Sequence, residues 1–99
     1  MLEIEKYKDK IEQLCRKYGI KRFELFGSAV THDFNTTSDV DCLIDFVEDG
    51  GNYFNRYFDF KSDLEILFGR SVDLVVSKAI RNPYFRRDVD QSKQLVYAA

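Results

Sequence analysis

One nine-residue stretch, 39–47 (DVDCLIDFV), restricts the fold most because apolar and acidic side chains alternate along it. Side chains two positions apart on a β-strand point to the same face. The even positions therefore form an apolar face, made of Val40, Cys42, Ile44 and Phe46. The opposite face carries Asp39, Asp41, Leu43 and Asp45. The pattern predicts a strand that packs one face against a core and presents carboxylates on the other.

The size and composition of the chain favour one folded domain over residues 1–99. It has 99 residues, 44% of them hydrophobic, and a formal net charge of -2, which fits a globular domain with one core. No apolar run approaches the ~20 residues that a membrane span requires. The charged start of the chain (MLEIEKYKDK) does not resemble a signal peptide. We therefore expect a cytoplasmic protein with no membrane contact, in which Cys15 and Cys42 are reduced and buried.

The charge is distributed unevenly along the sequence. Residues 1–22 carry 7 basic and 4 acidic side chains, residues 23–55 carry 0 and 7, and residues 56–99 carry 8 and 6. A nucleic-acid footprint would be basic, so no direct nucleic-acid partner is expected. An acidic block is usually a solvated loop. The alternative is a cation site.

The remaining pattern alternates helices and strands. An amphipathic helix ends at Gly19, a strand spans Lys21–Phe26, a helix covers about 54–68, and a strand spans Ser71–Val76. Asn82 and Pro83 begin a last helix that we expect to run to about Val96. The order predicts an α/β (α+β) fold in which helices pack on a small mixed sheet of three to four strands. Among the aromatic residues, Phe54, Tyr57 and Phe58 are predicted in the core, and Tyr53 and Phe60 at an interface.

The residues that carry chemistry lie at the ends of the predicted strands. Gly27 and Ser28 end one strand, Asp39 and Asp41 begin the next, and Asp73 lies in the third. Mg²⁺ prefers oxygen ligands and is commonly held by one or two carboxylates plus substrate phosphates. Gly27 allows close approach of a phosphate, the Ser28 hydroxyl can donate to it, and a short helix near Ala29 would add N–H groups. Asp73 would be a general base or a ligand of a second metal.

The combination of these residues resembles a known family. Leu25-Phe26-Gly27-Ser28, a spacer of ten residues, Asp39-Val40-Asp41 and the later Val72-Asp73-Leu74-Val75 are similar to the minimal nucleotidyltransferases of the DNA polymerase beta superfamily. The segment 80–85 (IRNPYF) and the late Val96-Tyr97 extend the resemblance over nearly the whole chain.

The resemblance implies a palm-like nucleotidyltransferase fold and a metal-dependent transfer of AMP from ATP to a hydroxyl group, with two Mg²⁺ ions. It implies metal ligation and catalysis by Asp39, Asp41 and Asp73, and phosphate contacts at Gly27 and Ser28. Many small members resemble the antitoxin of a two-gene module, which adenylylates a tyrosine of a HEPN-domain ribonuclease toxin. That protein and ATP are the expected partners, in a homo- or hetero-oligomer.

One departure from the family pattern leaves two functions open. Members commonly carry an Arg-Ala-Arg-Gly-like run after Gly-Ser, whereas this chain has residues 29–32 (AVTH), without Lys or Arg. The positive charge would then come from the metals, from Arg81, Arg86 or Arg87, or from a partner. The alternative is a catalytically weak or inactive module that neutralises a toxin by binding alone. Asp45, further from the Gly-Ser turn, is interpreted as structural or solvent-facing.

Overall fold

The computed structural model describes residues 2–31, 34–35, 37–48 and 51–99. The acidic residues Asp33 and Asp49 and the lone His32 lie outside these ranges. The helices are α1 (Lys8–Tyr18), α2 (Tyr53–Phe68) and α3 (Pro83–Ser92), and the strands are β1 (Ile20–Phe26), β2 (Val40–Phe46), β3 (Val72–Val76) and β4 (Gln94–Ala98). Short 3-10 turns span Ile4–Lys6, Gly27–Val30 and Ser77–Ala79.

The strands form one mixed sheet in the order β3-β2-β1-β4. Strand β1 is antiparallel to β2 and to β4, whereas β2 and β3 are parallel and joined through α2. Parallel neighbours need a crossover connection, and the helix α2 provides it. The predicted α+β class with a small mixed sheet is therefore confirmed.

The two faces of the sheet are covered differently. Helices α1 and α2 pack on one face, where Ile11, Cys15, Phe60 and Leu64 join the apolar face of β2 in the main core. On the other face α3 contributes Val89, which packs with Phe26 and Leu43. The alternation of β2 thus has the predicted effect, since Val40, Cys42 and Ile44 are buried. The acidic positions of β2 lie on the face that α3 covers.

The outer edge of β3 is closed by side chains of α2. Glu65 accepts a hydrogen bond from the backbone N–H of Val72 at 3.0 Å. The Tyr57 hydroxyl donates to the backbone carbonyl of Leu74. An edge strand exposes unpaired backbone groups that promote association with other strands. These two contacts cap part of that edge and fix α2 against β3.

The last helix is shorter than predicted. Asn82 caps α3 by accepting from the N–H groups of Tyr84 and Phe85, as expected, but the helix ends at Ser92 rather than near Val96. Residues Gln94–Ala98 instead form β4, which pairs with β1. Five residues are too few to distinguish strand from helix by periodicity. The hydrogen bonds to β1 decide the conformation, because these residues cover the edge of β1 that β2 leaves open.

The aromatic residues of α2 are placed differently from the prediction. Phe60 is fully buried, whereas Phe54 is 73% exposed and Phe58 is 48% exposed. Tyr57 is half-buried and joins the main core. The predictions of an interfacial Phe60 and of core positions for Phe54 and Phe58 were therefore wrong. Tyr53, predicted at an interface, is 45% exposed.

Both cysteines are buried and unpaired, as predicted. Burial raises the pKa of Cys15 to about 12 and the pKa of Cys42 well above its ordinary value. The thiolate is the reactive form of cysteine. We expect neither thiol to react with dithiobis(nitrobenzoate) at pH 8 in the native protein, and both to react in 6 M guanidinium chloride. Rapid labelling of one native thiol would contradict this placement.

Within the described residues, no helix is long and apolar enough to cross a membrane.

Candidate active site

Asp41 and Asp73 lie side by side on neighbouring strands. The parallel register pairs Asp41 of β2 directly with Asp73 of β3. Neighbouring strands are about 4.8 Å apart, and paired residues in a sheet point to the same face. The two carboxylates therefore start from adjacent backbone positions on the face that α3 covers. Asp39 is exposed and directly precedes β2, so it enters from the same end of the sheet.

The Gly27–Val30 turn closes over Asp41. Gly27 has a φ of +62°, which glycine adopts readily and other residues rarely do. Its Cα faces the Asp41 carboxylate so closely that an added Cβ would collide with Oδ2. The predicted short helix near Ala29 is only this single 3-10 turn. The glycine is required here by both backbone conformation and space.

Hydrogen bonds hold the turn in place from two sides. The Gly27 N–H donates to Ser92 Oγ at the end of α3 over 3.3 Å. The backbone N–H of Ser28 donates to the Asp41 carboxylate. The structure thus brings together four of the residues that the sequence predicted. Ser92 joins them although nothing in the sequence marked it, because only the fold brings the end of α3 to this turn.

The electrostatics of Asp41 are those of a crowded acidic group. Burial is the main cause that raises its pKa above the ordinary value, followed by the negative charges of Asp73 and Asp39. The hydrogen bond from Ser28 acts in the opposite direction. The carboxylates of Asp73 and Asp39 therefore make ionisation of Asp41 more costly. A bound cation would remove this repulsion.

The donor chemistry of these residues fits a hard divalent cation. Carboxylate oxygens are the ligands that Mg²⁺ takes in proteins, and Asp41 and Asp73 offer them from paired positions on one face. Across residues 2–31, 34–35, 37–48 and 51–99, no group of three carboxylate, histidine or cysteine side chains is already assembled as a metal centre. The predicted ligand set of Asp39, Asp41 and Asp73 is therefore not assembled as one centre among the described residues, although strand pairing places Asp41 beside Asp73.

Two of the three arginines predicted to compensate the acidic block have structural partners. Arg86 donates to Ser77 and lies 3.6 Å from Asp90, while Arg81 donates to the Lys78 carbonyl. Arg87 is exposed on α3.

Arg70 is a further arginine near the site that the sequence did not predict. Arg70 donates to the carbonyls of Asn35 and Ser38 at 2.7 and 3.1 Å, and its guanidinium lies 4.4 Å from the Phe34 ring centre. It therefore supports the segment that leads into Asp39. The only sequence signal was its position directly before the third strand.

The repulsion at Asp41 predicts a stability effect. In Mg²⁺-free buffer at pH 7, we expect Asp41→Asn to unfold at higher urea concentration than the wild type, because the ionised carboxylate is disfavoured by the fold. A raised native pKa means that this penalty disappears as the pH falls through it toward 3.8, the ordinary value of the carboxyl. The difference between the two proteins should therefore shrink as the pH falls toward about 4 and be largely lost below it.

The matched control is Asp88→Asn, which removes an exposed carboxylate on α3. This variant should show no comparable gain. Urea unfolding followed by circular dichroism measures all three proteins. An Asp41→Asn protein that is less stable than the wild type at pH 7 would refute the electrostatic interpretation.

Comparison with known sequences gives matches over most of the chain. Residues 8–96 match the family model described as the nucleotidyltransferase domain. A predicted protein adenylyltransferase of Methanocaldococcus jannaschii is 33% identical over 81 residues, which are 82% of this chain and 79% of that protein.

Two solved structures share the fold. A predicted minimal nucleotidyltransferase, 27% identical in sequence, matches with a TM-score of 0.76 over 92% of this chain and 90% of its own. A chain from the complex of a tri-AMPylated HEPN toxin with an MNT antitoxin of Shewanella oneidensis matches with a TM-score of 0.66, over 96% of this chain and 72% of its own. The latter is 16% identical, so it shows a common fold alone.

Proposed function

Since the chain belongs to the nucleotidyltransferase domain family, we propose that it transfers AMP from ATP to a hydroxyl group of a partner protein. It is an enzyme of the nucleotidyltransferase class, and its class uses a nucleoside triphosphate with a divalent metal. The observation that carries the finer proposal is the register pair Asp41 and Asp73 beneath the Gly27 turn. Metal-binding carboxylates and a glycine-rich loop recur at sites of phosphoryl transfer, which supports the proposal.

Each residue of the site has a role in this proposal. Asp39 and Asp41 would hold Mg²⁺, which neutralises charge on the triphosphate when bound. Ser28 would donate its hydroxyl to a phosphate oxygen, and Gly27 would let the phosphate approach. Asp73, exposed on β3, would accept the proton of the acceptor hydroxyl. The acceptor oxygen then bonds to the α-phosphorus, the bond between that phosphorus and the bridging oxygen breaks, and pyrophosphate leaves.

The names of the relatives support a protein as the acceptor. The M. jannaschii relative is named for protein adenylylation, and the S. oneidensis complex contains an AMPylated HEPN toxin. We propose that the acceptor is a tyrosine of a HEPN-domain toxin and that this chain acts as its antitoxin. A single nucleotidyltransferase domain over 1–99 would then depend on the partner to present the hydroxyl group.

The test is transfer of labelled AMP. The protein is incubated with Mg²⁺, ATP labelled at the α-phosphate, and the HEPN-domain protein encoded beside it. The wild type should label a tyrosine, mapped by mass spectrometry, and the Asp39→Ala/Asp41→Ala double variant should lose at least 99% of this rate. The Asp88→Ala variant serves as the control for loss of an exposed carboxylate. Equal labelling by wild type and double variant would refute the assigned site.

The wild type and the double variant also distinguish AMP transfer from the alternative in which the chain neutralises a toxin by binding alone. It is favoured by the absence of basic side chains between Arg22 and Arg56. If contact alone neutralises the toxin, protection of growing cells survives the loss of Asp39 and Asp41. If AMP transfer is responsible, the double variant loses both labelling of the toxin and protection of the cells.

A further inference from the structure

The first half of α2 presents aromatic rings to solvent. Tyr53, Phe54 and Phe58 are 45%, 73% and 48% exposed. The rings of Phe54 and Phe58 lie 4.8 Å apart, so they form a continuous apolar surface. Single exposed apolar residues are ordinary, but contiguous apolar patches mark interaction sites. We call Tyr53, Phe54 and Phe58 the α2 aromatic surface.

A cavity of about 320 Å³ opens beside this surface. Its apolar lining comes from Phe46, Tyr53, Val76 and Ala79. Tyr53 lines the cavity and is the first residue of α2, directly before Phe54. Cavities of this size accept small organic groups and are typically apolar with a few polar atoms. The space is sufficient for one aromatic side chain.

Asp45 provides the cavity with a hydrogen-bond acceptor that has no donor. It lines the cavity, and its Oδ1 atom is buried without a partner among the described residues. The nearby ammonium group of Lys78 is engaged with Glu48 at 3.1 Å, at the exposed rim. A buried acceptor without a donor costs free energy. An incoming O–H or N–H group would satisfy it.

The cavity shares the strand β2 with the candidate active site. Asp45 lies on the same strand and the same face as Asp41. On the other side of the sheet, Tyr57 of α2 donates to Leu74, the residue next to Asp73. A protein that wraps around the edge of β3 would therefore contact the α2 aromatic surface and reach Asp73 together.

We propose that the α2 aromatic surface and its cavity form the docking site of the acceptor protein, which inserts one tyrosine or tryptophan side chain into the cavity. The ring packs against Phe46, Val76 and Ala79, and its O–H or N–H donates to Asp45. Both side chains combine a large apolar body with one polar group, and they are enriched at interaction hot spots. The identity of the occupant as the acceptor rests on the proposed function, whereas the chemistry of the cavity does not.

Small probes test the cavity without any acceptor. p-Cresol carries the ring and hydroxyl of tyrosine, and 4-methylanisole has the same ring without the donor. In amide NMR titrations of the wild type, p-cresol should shift the signals of Phe46, Val76 and Ala79 and bind at least fivefold more tightly than 4-methylanisole. Asp45→Ala should abolish that preference while the ring still binds. Absence of these shifts, or equal affinity of both probes for the wild type, overturns the proposal.

Docking of the acceptor is tested with the HEPN-domain protein encoded beside this chain. Phe54→Ala/Phe58→Ala should weaken its binding, measured by calorimetry, by about tenfold or more. It should raise the KM for the acceptor and leave kcat unchanged. Ile66→Ala removes another exposed apolar side chain of α2, 79% exposed, and should have no effect.

The two readouts separate this inference from the proposed function. If the double variant binds as tightly as the wild type, the docking site is wrong even where AMP transfer proceeds. If binding weakens as expected and no AMP is transferred by any protein, the docking site stands and the proposed reaction fails.

Discussion

Replacing Gly27 by alanine is expected to lower the rate of AMP transfer by about a hundredfold or more. The added Cβ would collide with Oδ2 of Asp41, in a backbone conformation with φ of +62°. The Asp41 carboxylate must therefore shift from its place beside Gly27 to accommodate the methyl group. A misplacement of about 1 Å in a catalytic group costs about a hundredfold in rate. The variant therefore disables the site without removing any of its carboxylates.

Gly69 offers a matched control for the effect of backbone strain. Its φ is +66°, yet beyond its own chain neighbours no heavy atom of the described residues lies within 4 Å of an added Cβ. Gly69→Ala should lose about 1 kcal/mol of stability from the left-handed conformation and keep its activity. Initial rates of AMP transfer and urea unfolding, measured for both variants, compare their activity and their stability. Equal activity of the two alanine variants would show that Gly27 does not position Asp41.

Much of the candidate site could be predicted from the sequence because it depends on the two-residue alternation of side chains along a strand. Alternation over 39–47 predicts which side of β2 carries Asp41, and the spacing of Gly27 from Asp39 predicts a turn between two strands. Pairing of Asp41 with Asp73 then needs only parallel strands joined by a helix. The supports of the site were not accessible. Ser92 and Arg70 act through contacts between segments far apart in the chain, and nothing in their local sequence marks them.

The α2 helix shows why burial is harder to predict than secondary structure. Its first eight residues (YFNRYFDF) carry aromatic rings at five positions, so no single stripe is distinguished by hydrophobicity. The buried set is instead Phe60, Leu64 and Phe68, at steps of four residues. Which stripe faces the sheet depends on where the crossover from β2 to β3 places the helix. A hydrophobic pattern alone therefore could not separate Phe60 from Phe58.

Phe60→Ala is expected to destabilise the native state by about 3–5 kcal/mol, the usual cost of truncating a buried phenylalanine. The Phe60 ring is fully buried and meets the rings of Tyr18 and Phe23 edge-on, with centroids 5.9 and 6.0 Å away. Removing it leaves a cavity between α1, α2 and the sheet. Domains of this kind are stable by only about 5–15 kcal/mol, so the variant would lose a large share of its stability.

The contrast with Phe54 makes this prediction specific to burial. Phe54→Ala removes the same ring from the same helix at a position that is 73% exposed, and it should change the free energy of unfolding by about 0.5 kcal/mol or less. Urea unfolding at 25 °C, with comparison of the m-values, measures both. If the two variants lost similar stability, α2 would pack with a different face toward the sheet. In that case Tyr57 and Glu65 would not reach β3, and the placement of Asp73 beside Asp41 would lose its support.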